Sequence, residues 1–457
     1  MSDDTRPTPG PVRRYDFPAV HRTTLANGVL IVVAPMPRLP LVTVLALVDA
    51  GAARESAGQD GVASLTARTL TEGTGELNGA ALTDRLERLG TTLDGYADWD
   101  SSVARFTVTT SRLDGAFALF AEVLRAPSFP APDVERRRDE RLADIEQQLA
   151  EPRGLADLRF TGFLYSAASR YSRSTGGTAC TAGRLDSGAV RAYHRDHYLP
   201  AATTLIFVGD VTVARAVALA EARFGSWSGA ERPAVTMHAG AASAGRRTVI
   251  VEKAEAPQSE LRVGHIGVPR AHPDHLAIVV MNAILGGLFS SRINLNLRER
   301  HAFTYGASSG FEWRRGPGPF VVSTAVKTEV TARAVEEILR EIDGLRAAAP
   351  EASEVGLATD YLAGVFPIRF ESTAAVAGAL ANAAVFGLGE DWFVRYRDRV
   401  RAITGAAVHA AARAHLDPSR LLVLAVGDPA AIAAPLSDLG IGASERHKSD
   451  HDPAEEE

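Results

Sequence analysis

A single cysteine, Cys180, stands in 457 residues, which excludes an internal disulfide, a cysteine-based zinc cluster and an iron–sulfur site. Basic residues are in no excess. Lys plus Arg number 49 against 55 Asp plus Glu, and the net charge of −6 gives no footprint for nucleic acid. The start, MSDDTRPTPGPVRRYDF, lacks the basic cap and apolar run of a signal peptide, so a cytoplasmic chain is expected, or a periplasmic one whose leader was trimmed. Long apolar runs are also missing. LVTVLALV before Asp49 and LAIVVMNAILGGLF both fall short of the ~20 residues that cross a bilayer, so no membrane partner is expected. Gly286 and Gly287 suggest a phosphate loop only superficially, because no Gly-Lys-Ser or Gly-Lys-Thr follows. They are read as permitting close backbone approach near a substrate.

What remains is an ordinary folded composition, 46% hydrophobic and 23% charged, without the bias of a disordered or fibrous chain. Its organisation is a duplication. VRAYHRDHYLPAATTLIFVGDV resembles VHAAARAHLDPSRLLVLAVGDP, and the landmark pairs His197 and His415, Pro200 and Pro418, Gly209 and Gly427, and Asp210 and Asp428 keep one offset (427 − 209 = 218). The same shift lays Ile31, Val32 and Val33 onto Val249, Ile250 and Val251. The reading is therefore a domain at 1–225, a linker at 226–247 rich in Gly, Ala and Ser, a second domain at 248–445, and an acidic, disordered tail at 446–457. Within each half, β-branched runs alternate irregularly with helical stretches, which predicts α+β domains with mainly antiparallel sheets rather than a doubly wound fold. The stretch Asp133 to Ala150 has helical spacing and ends before Pro152.

Several polar constellations carry an ordinary structural explanation. His194 and His197 form an H-x-x-H that recurs partly in the second half, as expected of helix-end packing. His272 and His275 flank Pro273 and Asp274 at a helix start, where a polar cap accounts for them without a metal. Cys180 has no assignable base and is read as structural. Arg136, Arg137, Arg138, Glu140 and Arg141 read as a solvated helix face. On spacing alone, Arg298 and Tyr305, seven apart (305 − 298 = 7), would be an exposed helix arginine and a half-buried strand tyrosine.

The stretch DGVASLTARTLTEGTG is similar to the motif segment of a peptidase family whose signature is His-x-x-Glu-His on a helix with a distant Glu. Two histidines four apart share a helix face as zinc ligands, and the Glu takes a proton from metal-bound water. Those positions here hold Ser64, Ala67 and Arg68, and the distant ligand falls on Asp144 (144 − 68 = 76). The blocks TLANGVLIVVAP, DAGAARE, LRAPSFPAPDVERRRDERL, HRDHYLPAATTLIFVGDV, RFGSWSG, EAPQSELRVGHIGV and LGGLFSSRINLNLRERHAFTY also resemble that family's blocks in its order. The chain thus resembles, over nearly its whole length, the M16 zinc peptidases: pitrilysin, insulin-degrading enzyme and the mitochondrial processing peptidase.

The resemblance implies half of a clamshell. It is to the subunit type that has lost zinc but keeps an Arg and a Tyr in its second half, here Arg298 and Tyr305, with Gly286, Gly287, Ser290 and Ser291 forming a substrate loop. It further implies no metal in this chain, zinc in a related partner carrying His-x-x-Glu-His, an isolated chain without activity, and unfolded peptides as substrates. Ala302 stands where that pattern usually has Gly, and Phe303 and Thr304 depart from it as well. A purely structural paralogue and a peptide-binding homodimer are the alternatives.

Overall fold

The computed structural model describes residues 14–230 and 239–453. Part of the expected linker and the last residues of the expected tail lie outside the described residues. Two mixed sheets of six strands organise the chain. The first contains β1 (His21–Thr24), β2 (Leu30–Pro35), β3 (Leu41–Val48), β4 (Asp94–Ala97), β5 (Ser102–Thr109) and β6 (Thr203–Gly209), in the order β1-β2-β6-β3-β5-β4. The second contains β7 (Arg247–Glu252), β8 (Gln258–Ile266), β9 (Ala307–Phe311), β10 (Pro319–Lys327), β11 (Leu422–Gly427) and β12 (Ala443–His447), in the order β12-β7-β11-β8-β10-β9. Five strands of each sheet correspond in order and direction. Most neighbours are antiparallel, as expected, but β2 runs parallel to β6 and β7 to β11.

The sixth strand breaks the symmetry. β1 precedes its sheet and pairs antiparallel with β2, whereas β12 comes from the end of the chain and pairs parallel with β7. β12 carries order past position 445, and Asp452 forms an ion pair with Arg159, so the acidic end is held to the fold that far.

Strands β2, β3, β6, β7 and β11 are apolar along nearly their whole length because both sheet faces are covered. Helices of the same half cover one face. A helix from the other half covers the opposite face. On the first sheet, Val376, Ala377, Leu380 and Ala381 of helix Thr373–Phe386 pack on Val32, Ala34, Leu45, Leu47, Ile206 and Val208. On the second, Leu155, Ala156, Phe160 and Phe163 of helix Pro152–Leu164 pack on Val249, Val251, Leu422, Leu424 and Val426. The two helices are equivalents in the duplication, since Leu155 and Thr373 differ by its period (373 − 155 = 218).

A turn of the second half plugs into the first. Arg314 lies over the rings of Trp99 at 4.2 Å and Tyr171 at 4.6 Å. The Arg315 guanidinium donates to Asp49 at 2.7 Å, and its backbone N–H donates to Asp100 at 2.9 Å. The Tyr165 hydroxyl donates to the Pro317 carbonyl at 2.9 Å.

The apolar run around LAIVVMNAILGGLF extends further than its sequence suggests. His275–Arg300 is a largely helical stretch of 26 residues, interrupted where Leu288 and Ser291 are extended, and is long and apolar enough by composition to cross a membrane. Half of its apolar window is buried, and Ile278, Met281, Leu285, Ile293 and Leu297 belong to the second core.

Candidate active site

Helix Val62–Thr69 carries the motif positions, and its first turn is anchored from below. Gly61 adopts φ 101°, and a Cβ there would come within 2.8 Å of the Gly176 carbonyl, so only glycine fits. The Glu55 carboxylate, whose side chain is fully buried, accepts from the N–H groups of Gly61 at 3.0 Å and Ala63 at 2.9 Å and pairs with Arg170. Burial raises the Glu55 carboxyl above its ordinary range, while Arg170 and the two N–H groups pull it back.

On this helix Ala67 is buried and Ser64 half-buried, and the Arg68 guanidinium lies 3.7 Å from the Asp144 carboxylate on helix Ala131–Ala150. The positions for two ligands are therefore adjacent across the helices, as the motif spacing requires. Their side chains are 39% and 51% exposed, so the charges meet in solvent rather than in a sealed pocket.

Zinc takes imidazole, thiolate or carboxylate donors in a closed set of three or four. These positions offer a hydroxyl, a methyl, a guanidinium and one carboxylate, and Arg137, Arg138 and Arg141 line the same recess. The donor set does not fit zinc.

Of the residues read as a solvated face on helix Ala131–Ala150, Arg136 is exposed, whereas Arg137, Arg138 and Arg141 are half-buried. Arg136 and Arg137 converge on Glu72 at 2.7 and 2.6 Å. Arg141 turns inward to the Gly176 carbonyl and the Ser174 hydroxyl, each at 3.2 Å, and burial lowers its pKa. The helix lies against the motif helix, and its long side chains fold over onto the neighbouring turn at Glu72 and the loop at Ser174 and Gly176.

The second cluster lies in the other half. Tyr305 stands in the loop before β9 and is 94% exposed, in place of the half-buried strand tyrosine that spacing suggests. It borders a cleft of about 560 Å³ that also includes Gly286, Gly287, Phe289, Arg153 and Arg262. Arg298 lies on the helical turn Leu295–Arg300 with its guanidinium 4.5 Å over the Phe289 ring, and its nearest carboxylate is Glu299 at 3.5 Å.

Gly286 is required by the fold itself. A Cβ there would meet the Ser309 hydroxyl at 2.4 Å and the Ser309 nitrogen at 2.7 Å, so the close approach is to β9. Ser290 is exposed, whereas Ser291 is buried at the start of the short helix Arg292–Asn294. Ala302 adopts φ 52°, the left-handed conformation that the usual glycine enters without strain.

Sequence reasoning missed Asn294. Its Nδ2 donates to the Phe289 carbonyl at 2.6 Å and its Oδ1 accepts from Ala307 N–H at 3.0 Å, tying both walls of the Tyr305 loop together. Nothing in an Asn within SRINL signals that role. The other candidates fall as ordinary packing. His194, half-buried, packs against Phe129 and Tyr198 with Nε2 3.0 Å from the Leu124 carbonyl, and desolvation pushes its pKa down to about 4. Cys180 is an exposed thiol in the short helix Ala179–Gly183.

Comparison with known proteins agrees with this arrangement. The family described as "Insulinase (Peptidase family M16)" matches residues 31–182, and "Peptidase M16 inactive domain" matches residues 184–360. An uncharacterized zinc protease of Streptomyces coelicolor is 24% identical over 371 residues, covering 79% of each chain. A probable mitochondrial-processing peptidase subunit beta of Schizosaccharomyces pombe is 26% identical over 286 residues, 60% of this chain and 61% of the relative. A crystal structure of a peptidase M16 inactive domain from Pseudomonas fluorescens superposes with a TM-score of 0.84 at 25% identity, over 90% of this chain and 98% of that one. The paired sheets and the matches along both halves together make the chain a member of peptidase family M16.

Proposed function

We propose that the chain is the substrate-binding subunit, lacking zinc at its motif positions, of a heterodimeric metallopeptidase that cleaves unfolded peptides, with a related partner carrying His-x-x-Glu-His and the catalytic zinc. The observation that carries this reading is Tyr305, almost fully exposed at the edge of a cleft also lined by Phe289, the ring over which Arg298 lies, in a chain whose own motif positions offer no zinc donor set. An isolated scaffold gains nothing from exposing that phenol.

In this reading Tyr305 donates its hydroxyl proton to the scissile carbonyl as negative charge builds on oxygen. Arg298 holds a neighbouring substrate carbonyl or carboxylate through its planar fork. Substrate in extended form adds to a free sheet edge. β4 suits this, since it pairs only with β5 and exposes Tyr96, whereas the outer side of β9 is already bonded by Asn282 and Asn294.

The test is reconstitution with a zinc-bearing M16 partner, with assembly confirmed by size exclusion and kinetics measured on an unfolded peptide. Tyr305→Phe should assemble normally and lose roughly 30-fold to 1000-fold in kcat. Arg298→Ala should raise KM and lower kcat, with Lys only a partial rescue. Wild-type kinetics for both variants in an intact complex would make the chain a scaffold.

A further inference from the structure

Outside the cleft and the motif helix, three metal-ligating side chains converge from two distant segments. His272 and Asp274 precede helix His275–Asn282, and His415 ends helix Gly405–His415. One donor atom from each lies within 4.8 Å of the other two. His415 Nε2 lies 2.8 Å from Asp274 Oδ2, and His272 Nδ1 lies 4.0 Å from the same oxygen. The imidazole rings stand edge to face, 4.7 Å between centroids at 78°.

We infer that His272, Asp274 and His415 form a zinc-binding site distinct from the family's motif position, stapling the start of one second-half helix to the end of another. Two imidazoles and one carboxylate are the donor set zinc takes when it keeps a water as fourth ligand. Donors bound at about 2.1 Å to one tetrahedral zinc stand roughly 3.4 Å apart, so the observed spacing needs only small side-chain rotations to close. The His415 side chain is 9% exposed and held by packing, whereas His272 and Asp274 are 28% and 52% exposed, which gives a fixed ligand and an open entry path. The His272 Nδ1 lone pair now accepts from the Asp274 backbone N–H at 3.1 Å, and zinc would take that lone pair.

The duplication supplies an internal comparison. Shifted by the period, His272 falls on Arg54 (272 − 54 = 218) and His415 on His197 (415 − 197 = 218). Those two positions are also close in the first half: burial and then the Arg54 guanidinium hold His197 below its ordinary pKa. The fold thus brings this pair of positions together twice. In the first half one of them is an arginine committed to Asp49, and in the second both are histidines beside a carboxylate.

The experiment uses the full chain, stripped with chelator and titrated with Zn2+ by calorimetry and with Co2+ by visible spectroscopy. The expected result is about one saturable equivalent, d–d bands of tetrahedral cobalt, and a zinc-dependent rise in melting temperature. His272→Ala, Asp274→Asn and His415→Ala should each weaken binding at least about tenfold and abolish that rise. Ser64→Ala, Asp144→Asn, His447→Ala and His451→Ala should leave binding unchanged, separating this site from the motif helix and from the C-terminal histidines. If His415→Ala does not fold, the more exposed His272→Ala decides alone. No saturable uptake, or uptake that His272→Ala leaves at wild-type affinity, would overturn the assignment. So would loss of binding in Asp144→Asn.

Discussion

Arg68 and Asp144 meet at 3.7 Å across two packed helices, at two of the positions where the motif needs metal ligands. Both side chains are more than a third exposed, so solvent screens the pair. Arg68→Ala and Asp144→Ala should each change unfolding free energy by less than about 1 kcal/mol, with a coupling of roughly 0.2–0.5 kcal/mol in a double-mutant cycle. Chemical denaturation measures both. A coupling of several kcal/mol would show a sealed pair.

Asp49 is the contrasting case. It is buried, held by Arg54 at 2.8 Å within its own half and by Arg315 at 2.7 Å from the other. Asp49→Ala leaves two guanidiniums without that carboxylate at the junction and should cost about 3–5 kcal/mol. Thermal unfolding of the full chain reads the loss.

Two desolvated histidines set an acid limit on stability. Burial pushes His194 down to about 4, and burial followed by Arg270 pushes His275 down to about 3, from an ordinary value of 6.5. The folded state thus binds fewer protons than the unfolded one below pH 6.5. The stability these rings contribute is complete above that pH and is lost as pH falls toward their folded values. Each should remove about 1.4 kcal/mol per pH unit across this window. Denaturant midpoints between pH 7 and 5 should fall steeply in the wild type and less in His194→Gln.

Ala302 holds a left-handed conformation at φ 52° in the loop leading to Tyr305. Ala302→Gly removes that strain and should raise stability by about 0.5–1 kcal/mol after the entropy cost of glycine. A lower melting temperature in the variant would contradict this.

Much of this architecture is legible in the sequence because duplication leaves a constant offset and buried strands leave β-branched runs. The loss of the motif's two histidines and its glutamate, replaced by Ser64, Arg68 and Ala67, is plain for the same reason: a motif is a local pattern. The rest depends on contacts between distant segments. His272 lies 143 positions from His415 (415 − 272 = 143), and nothing local couples them. Arg141 reads as part of a solvated face because helical spacing gives no sign of the distant loop, at Ser174 and Gly176, onto which it folds. The exchange of helices is hidden for another reason. An offset identifies Pro152–Leu164 and Thr373–Phe386 as equivalents but does not say which sheet each covers.

That exchange should make the halves interdependent. Fragments 1–246 and 247–457, expressed alone, should bind hydrophobic dyes and aggregate, and should become soluble when expressed together. Two soluble, cooperatively melting fragments would count against it.

The same exchange sets a schedule for synthesis. β6 leaves the ribosome at Gly209, but the helix that covers the outer face of its sheet ends at Phe386, 177 residues later (386 − 209 = 177). At ~5–20 residues per second the apolar surface of Val32, Leu45, Leu47, Ile206 and Val208 waits roughly 10–35 s for its cover. Helix Pro152–Leu164, by contrast, is already made when β7 and β11 arrive and needs no such wait. Nascent chains stalled between these points are where a holding chaperone would find its substrate.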